Sequence, residues 1–176
     1  MNLQPTLENE LIMLRPLTEA DYDALYEVAK DPLIWEQHPI SDRYKKAVYS
    51  DFFTDSINSN GAFIIIDRST KKVIGSTRFK QISNSKNAIE IGWSFLSRDK
   101  WGGKYNKAMK QLMMDYAFQY VDHVIFYIGK NNKRSQSAVE KLGGKKITDP
   151  HLKHLVKENE SDWTYGISKK NWSKST

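Results

Sequence analysis

The sequence predicts an α/β (α+β) domain built around one mixed sheet, and three observations carry that reading. Hydrophobic spacing switches repeatedly between the helical period and the two-residue period of strands. Residues 88–128 read as strand, helix, strand, which places the two strands parallel, whereas the short polar turns before them suit antiparallel hairpins. No repeat, linker or low-complexity tract divides the 176 residues. A chain of this length buries one sizeable core and falls short of two ordinary domains, so residues 1–176 are read as one domain.

Each element has its own local reason. Residues 11–15 are a short apolar run stopped by Pro16, which suits a strand. Thr18 opens a helix as N-cap with Asp21 three residues on, in the manner of a capping box. Leu25, Val28 and Ala29 then recur at helical spacing until Asp31-Pro32. A second helix covers residues 44–57. Residues 62–66 and 73–79 are strand-like runs around a turn-rich stretch, which predicts a hairpin. After a polar turn at 84–87, residues 88–96 alternate: Ile89, Ile91, Trp93 and Phe95 are expected on one face, with Glu90, Gly92 and Ser94 on the other. Tyr105, Met109, Leu112, Met113, Tyr116, Ala117 and Tyr120 form one helical stripe. A strand at 123–128, a helix at 132–142 capped by Asn132 and closed by Gly143-Gly144, and a strand at 163–167 complete the order.

Composition narrows the function classes. The chain is 39% hydrophobic and 12% aromatic, with no apolar run approaching a membrane span and no signal-peptide pattern, so it is expected to be soluble and cytoplasmic. The absence of cysteine excludes disulfides, thiolate metal sites and a cysteine nucleophile. Two Asn-x-Ser matches, at Asn159 and Asn171, carry no weight for such a protein. The net charge of +6 favours an anionic partner: nucleic acid, an acidic protein surface or a phosphate-bearing small molecule. The lysines are scattered, however, and a solvated basic surface accounts for most of them. His151 and His154, three residues apart, lack the further ligands a metal site needs, and no metal is expected.

One stretch asks for an explanation. Residues 97–107, SRDKWGGKYNK, place Gly102 and Gly103 in a basic, aromatic turn that enters a helix. A P-loop requires a glycine where Arg98 stands and a serine or threonine where Tyr105 stands, and a dinucleotide fingerprint requires glycines at GxGxxG spacing. Neither fits. The underlying physics still does, because flexible backbone at a helix start lets successive N–H groups converge on an anion. An ordinary tight turn flanked by solvated lysines explains the same residues.

The order of elements, the strand IEIGWSFL, the turn WGGKYNK entering a helix, and the later Asn132-Lys133-Arg134-Ser135 leading to Glu140-Lys141-Leu142-Gly143 together resemble the GNAT superfamily of acetyl-CoA-dependent N-acetyltransferases. The opening MLRPLTEADYDAL and the closing YGISKKNW are most similar to its ribosomal-protein alanine acetyltransferase branch. The resemblance covers nearly the whole chain. It implies a mostly antiparallel twisted sheet of six or seven strands with about four helices, acetyl-CoA as co-substrate, and an amine acceptor. That acceptor is a small molecule or a peptide N-terminus.

The resemblance also implies roles for individual residues. Phe95, Leu96 and Arg98 would line the pantetheine groove. Trp101, Gly102, Gly103, Lys104, Tyr105 and Asn106 would form the pyrophosphate turn, with Lys104 where the family keeps a glycine. Asn132 would hold the pantetheine arm.

Amide formation from a thioester needs a neutral amine, a stabilised oxyanion and a proton for the departing thiolate. Glu90 stands where many of these enzymes keep a general base; facing solvent on a half-exposed sheet is its alternative. The tyrosine that many of them use as acid is replaced by Val139, and Ser135 occupies the place of the serine common in the similar branch. Asn132 and Ser135 could instead serve only as helix caps. Tyr127 and Ser94 are reserve candidates. Trp35, His38, Phe52 and Phe53 fall where the family forms its acceptor pocket, although such residues also suit a core. Direct attack by a primary amine on acetyl-CoA is the expected reaction, with no nucleic-acid or membrane partner and a monomeric or homodimeric state. A noncatalytic acyl-CoA-binding or nucleic-acid-binding module on the same fold is the alternative.

Overall fold

The computed structural model describes residues 1–157 and 161–172; Asn159 lies outside the described residues. Its strands are β1 (Leu7–Glu8), β2 (Ile12–Pro16), β3 (Ala62–Asp67), β4 (Val73–Gln81), β5 (Ala88–Leu96), β6 (His123–Gly129), β7 (Lys145–Lys146) and β8 (Asp162–Ser168). Its α-helices are α1 (Tyr22–Ala29), α2 (Lys46–Asn58), α3 (Lys104–Ala117), α4 (Lys133–Glu140) and α5 (Lys169–Trp172). The strands form one sheet in the order β1-β2-β3-β4-β5-β6-β8-β7. All pairs are antiparallel except β5 with β6.

The sheet is thus mixed and mostly antiparallel, as the spacing predicts, but among the described residues it has eight strands rather than six or seven. The additional β1 and β7 are two residues long and carry no alternation to detect. No helix among the described residues is long and apolar enough to cross a membrane.

Alternation in the central strands distributes side chains between two cores. Phe63 and Ile65 of β3, with Phe79, Ile89 and Ile91, pack against Met109, Met113 and Met114 of α3. Ala62 and Ile64, one residue out of phase, pack with Leu25 and Ala29 of α1 and with Tyr49, Phe52 and Phe53 of α2. The capping box at Thr18 forms, with Asp21 Oδ2 accepting from Thr18 N and Oγ1, both at 2.9 Å. The turn it caps is 3-10, so α1 itself begins only at Tyr22.

Strand β5 departs from the predicted alternation. Ser76 of β4 pairs with Phe95 and Arg78 with Gly92, so Trp93 and Ser94 together oppose Thr77 in a β-bulge. Trp93 takes the left-handed backbone conformation, φ 51°. Beyond the bulge the phase is reversed. Phe95 joins Trp35 and Phe52 in the core of α1 and α2, away from Ile89 and Ile91, while the Ser94 hydroxyl bonds Lys110 of α3. Glu90 and Ser94 therefore do not share a face, contrary to the expectation from strict alternation.

Asp67, at the end of β3, fastens the β3–β4 turn to the start of α3. Its carboxylate is fully buried and accepts from Ser69 Oγ at 2.6 Å, Lys100 Nζ at 2.9 Å and the Tyr105 hydroxyl at 2.9 Å. The Ser69, Lys100 and Tyr105 hydrogen bonds hold it well below the usual carboxylate range, against the effect of burial. Removing one partner of such a buried pair leaves an uncompensated charge. Asp67→Ala is therefore expected to lower stability by about 3 kcal/mol, measured by urea unfolding. The folded carboxylate resists protonation more than the unfolded one, so its contribution is complete above about pH 4 and declines below it. A wild-type and Asp67→Ala difference that stays constant from pH 7 to pH 3 contradicts this assignment.

Candidate active site

The parallel pairing of β5 and β6 is short. It joins Ala88 to His123, Ile89 to Val124 and Glu90 to Ile125, and beyond Glu90 the strands part. Between them opens a cavity of 330 Å³. Its walls come from β5 (Glu90, Gly92, Ser94), β6 (Phe126, Tyr127), the first turns of α4 (Ser135, Val139), α3 (Asn106, Lys110) and the segment after α1 (Trp35, His38, Arg43).

Glu90 is the last residue of β5 that pairs with β6 and is only 6% exposed. Burial raises its carboxyl above the ordinary glutamate range, opposed in part by Lys157, Lys80 and Arg78. A Cβ added at Gly92 would lie 3.2 Å from Glu90 Oε1, so glycine at this place leaves the carboxylate its room. Across the opening, Tyr127 donates its hydroxyl to the Leu155 carbonyl at 2.8 Å. Burial and the nearby Glu90 push its phenol up to about 12.

Lys110 lies on the floor of the opening and was not among the candidates read from sequence. It is 5% exposed, and its Nζ donates to Ser94 Oγ at 2.7 Å and sits 5.3 Å from the Phe126 ring centroid. Ser94 Oγ also pairs with Thr77 Oγ1 at 2.8 Å. No carboxylate lies within 4.0 Å of the amine among the described residues, and burial pulls it down to about 7. The signal for its burial was Met114. This residue is fully buried one turn beyond Lys110, and it widens the apolar face of α3 past the predicted stripe.

The turn before α3 has the form an anion site needs. Gly102 has φ +70°, and a Cβ there would meet nothing within 4 Å, so backbone conformation rather than crowding calls for glycine. Gly103 is the N-cap and offers no side chain to the orphan N–H groups of Lys104, Tyr105 and Asn106. Trp101 closes the turn by donating its indole N–H to the Leu96 carbonyl at 2.9 Å, and the Arg134 guanidinium stacks on it at 3.9 Å.

Charges in this turn are unequally available. Lys100 and Tyr105 are engaged by Asp67, and Arg98 is paired with Asp31. Exposed Lys104 has no carboxylate within 4.0 Å among the described residues.

Of the residues named from sequence, the cavity brings together Trp35, His38, Glu90, Asn106, Asn132 and Ser135, with Ser94 and Tyr127. Phe95 and Leu96 are buried in the two cores, and Arg98 faces a separate shallow depression beside Asp31. Phe52 and Phe53 are core residues. Asn132 does cap α4, its Oδ1 accepting from Ser135 N at 3.1 Å, and it lines the cavity as well. His151 and His154 lie in a 3-10 turn, residues Pro150–Leu155. Among the described residues no group of three or more His, Asp or Glu side chains is placed to hold a metal ion.

A sheet that opens at the end of its parallel pair, with a glycine turn leading into the adjoining helix, defines an acetyltransferase class of fold. The acetyltransferase (GNAT) domain family matches this chain over residues 12–145, and the chain belongs to that family. Solved structures with the same fold include a GCN5-related N-acetyltransferase from Brucella melitensis, 18% identical, with a TM-score of 0.78 over 97% of this chain and 81% of that one. Spermidine N-acetyltransferase from Vibrio cholerae, in complex with CoA and spermine, is 15% identical with a TM-score of 0.68 over 94% and 99% of the two chains. A Vibrio cholerae chain provisionally described as a ribosomal-protein-serine acetyltransferase is 11% identical, with a TM-score of 0.72 over 96% and 99%.

Burial of Lys110 predicts a pH signature. The folded amine loses its proton near pH 7 while the unfolded one keeps it to about 10.5, so stability rises as pH increases through that window. Lys110→Met is expected to flatten the rise and to add on the order of 1–3 kcal/mol at neutral pH. Urea unfolding between pH 6 and pH 10 measures both effects; an equally steep rise in the variant excludes Lys110 as the source.

Proposed function

We propose that this protein transfers the acetyl group of acetyl-CoA to a primary amine by direct attack, with residues 1–176 acting as one catalytic unit. The observation that carries the reading is the position of Glu90. It is a buried carboxylate with a raised pKa, at the point where β5 and β6 part, and it faces the same cavity as the start of α4.

Acetyl-CoA would supply an acetyl thioester. The uncapped first turn of α3, with Gly102, Gly103 and Lys104, would take its phosphates, and Asn106 and Asn132 would face its pantetheine arm. The fit rests on the orphan N–H groups, the open space at Gly102 and Lys104, which has no carboxylate within 4.0 Å among the described residues, at one helix start.

The amine must be neutral to attack. Glu90 would receive its proton directly or through water; a raised pKa makes this carboxylate a better base than an ordinary surface glutamate. The new C–N bond forms on the carbonyl carbon, the C–S bond breaks, and the thiolate takes a proton. The nitrogen gives up its second proton as the amide forms, and Ser135, whose hydroxyl makes no hydrogen bond among the described residues and faces the cavity, would hydrogen-bond the sulfur and relay that proton to it. The products are an amide and free CoA thiol. A protein N-terminus of the kind acetylated in the ribosomal-protein branch and a small amine remain the two acceptor classes of this reading.

Free thiol should appear when acetyl-CoA meets a suitable amine. Acetyl-CoA binding without turnover on a broad amine and peptide panel would favour the noncatalytic module instead. Glu90→Gln is expected to reduce kcat/KM by about 10²-fold or more. The wild-type profile should fall on the acid side at a pKa above the usual glutamate range, and the variant should lose that limb. An unchanged profile removes Glu90 from the reaction. Lys104→Ala is expected to weaken acetyl-CoA by several-fold while sparing thioester analogues that lack the nucleotide; equal effects on both would make Lys104 a surface charge.

A further inference from the structure

The cavity wall contributed by the segment between α1 and α2 holds a nearly buried cation. Arg43 is 7% exposed, on the segment between α1 and α2. Its guanidinium lies 4.6 Å from the Phe52 ring centroid and 5.5 Å from that of Trp35, and its Nη1 donates to His38 Nε2 at 3.2 Å. The imidazole accepts this bond as a neutral ring, since burial and the adjacent guanidinium hold His38 down to about 4. None of these three neighbours carries a negative charge.

No carboxylate comes within 4.0 Å of Arg43 among the described residues. The nearby Asp55 is already committed to Arg78, which is 2% exposed and donates to Asp55 Oδ2 at 2.8 Å and to Ser56 Oγ at 2.6 Å. Asp55, mostly exposed and already paired with Arg78, gives Arg43 only partial compensation, and the two buried guanidiniums repel each other. Aromatic faces hold Arg43 in place but offset only part of what it costs to remove a guanidinium from water. A nearly buried cation in a cavity wall, with no carboxylate within 4.0 Å among the described residues, is an arrangement suited to a ligand's negative charge.

We propose that Arg43 binds a carboxylate carried by the amine acceptor, so that the substrate is a small amino carboxylate rather than a polyamine or a plain amine. This inference rests on the acetyltransferase reading for the amine end and on the surroundings of Arg43 for the acid end. Glu90 and Arg43 line the same cavity, which gives a short acceptor opposite charges to meet at two places. The volume of 330 Å³ must also admit the acetyl group, which leaves room for a small molecule. Arg43 and Lys157 in the lining work against a polycation, while Glu90 and Asp162 are the lining's carboxylates.

The test separates binding from transfer. Protein saturated with free CoA, which cannot react, is titrated with a series of short ω-amino carboxylates and with their carboxamides while tryptophan fluorescence is followed, Trp35 lying beside Arg43. A saturable change at least tenfold tighter for an acid than for its amide is expected. Arg43→Gln should erase that preference, and Arg43→Lys, which keeps a charge, should retain part of it. Thiol release from acetyl-CoA with the same pairs and with spermidine should show the same acid preference in kcat/KM and the same collapse.

Equal binding of acid and amide overturns the carboxylate proposal even if thiol is released, as does a preference that survives Arg43→Gln. So does spermidine, or a peptide without an acidic group, outperforming every acid. Acid-selective binding with no thiol released from any acceptor leaves the carboxylate site standing and overturns the transfer reading. Because CoA is present throughout, occupation of Arg43 by the coenzyme's own phosphates would abolish the carboxylate titration and count against the proposal.

Discussion

The site depends on one constraint in the sheet: β5 and β6 share hydrogen bonds at three residue pairs and then diverge. A parallel pair cannot be closed by a hairpin, so α3 makes the crossover. The bulge at Trp93 and Ser94 belongs to the same constraint. It adds a residue to β5 opposite a single Thr77, which reverses the phase of everything that follows. Ser94 then reaches α3 and Phe95 reaches α2. Without the bulge, neither the floor of the cavity nor its aromatic side would have the same residues.

Helix α3 serves two ends of the opening. Its first turn is bare of side-chain caps, and a buried network at Asp67 holds the preceding turn against β3. One and a half turns later Lys110 projects beneath the parted strands. Arg134 connects this helix start to the other wall: it stacks on Trp101 and pairs with Glu36 at 2.6 Å, while its backbone N–H meets Gln37. The glycine turn, the start of α4 and the segment carrying His38 and Arg43 are thereby joined at the rim.

Much of this was legible in the sequence where periodicity governs. The α3 stripe, the hairpin of β3 and β4, and Glu90 beside Gly92 all follow from spacing that burial enforces. The bulge was not, because two residues opposite one leaves no mark on an alternating run. Lys110 escaped because a lysine beside an apolar stripe ordinarily reaches water by its long stem. Arg43 lies in a segment without helical or strand periodicity, and only its three-dimensional neighbours reveal that no carboxylate among the described residues lies within 4.0 Å of it. Arg98 and Lys100 looked available to a phosphate, yet their carboxylates, Asp31 and Asp67, are distant in sequence. The general point is physical: local order is written in spacing, whereas the availability of a charge is settled by long-range partners.

The two outer strands are the shortest in the sheet, and one of them is Lys145-Lys146, both exposed. A strand from another molecule has little backbone to pair with at either border, and at one of them it meets two ammonium groups. The long unpaired stretches among the described strands are instead the facing edges of β5 beyond Glu90 and β6 beyond Ile125, inside the opening. The fold therefore keeps its unused backbone hydrogen-bonding capacity where a ligand enters and withholds it where a neighbour would polymerise. Self-association through continuous sheet is disfavoured by construction, although the sheet is open at its centre.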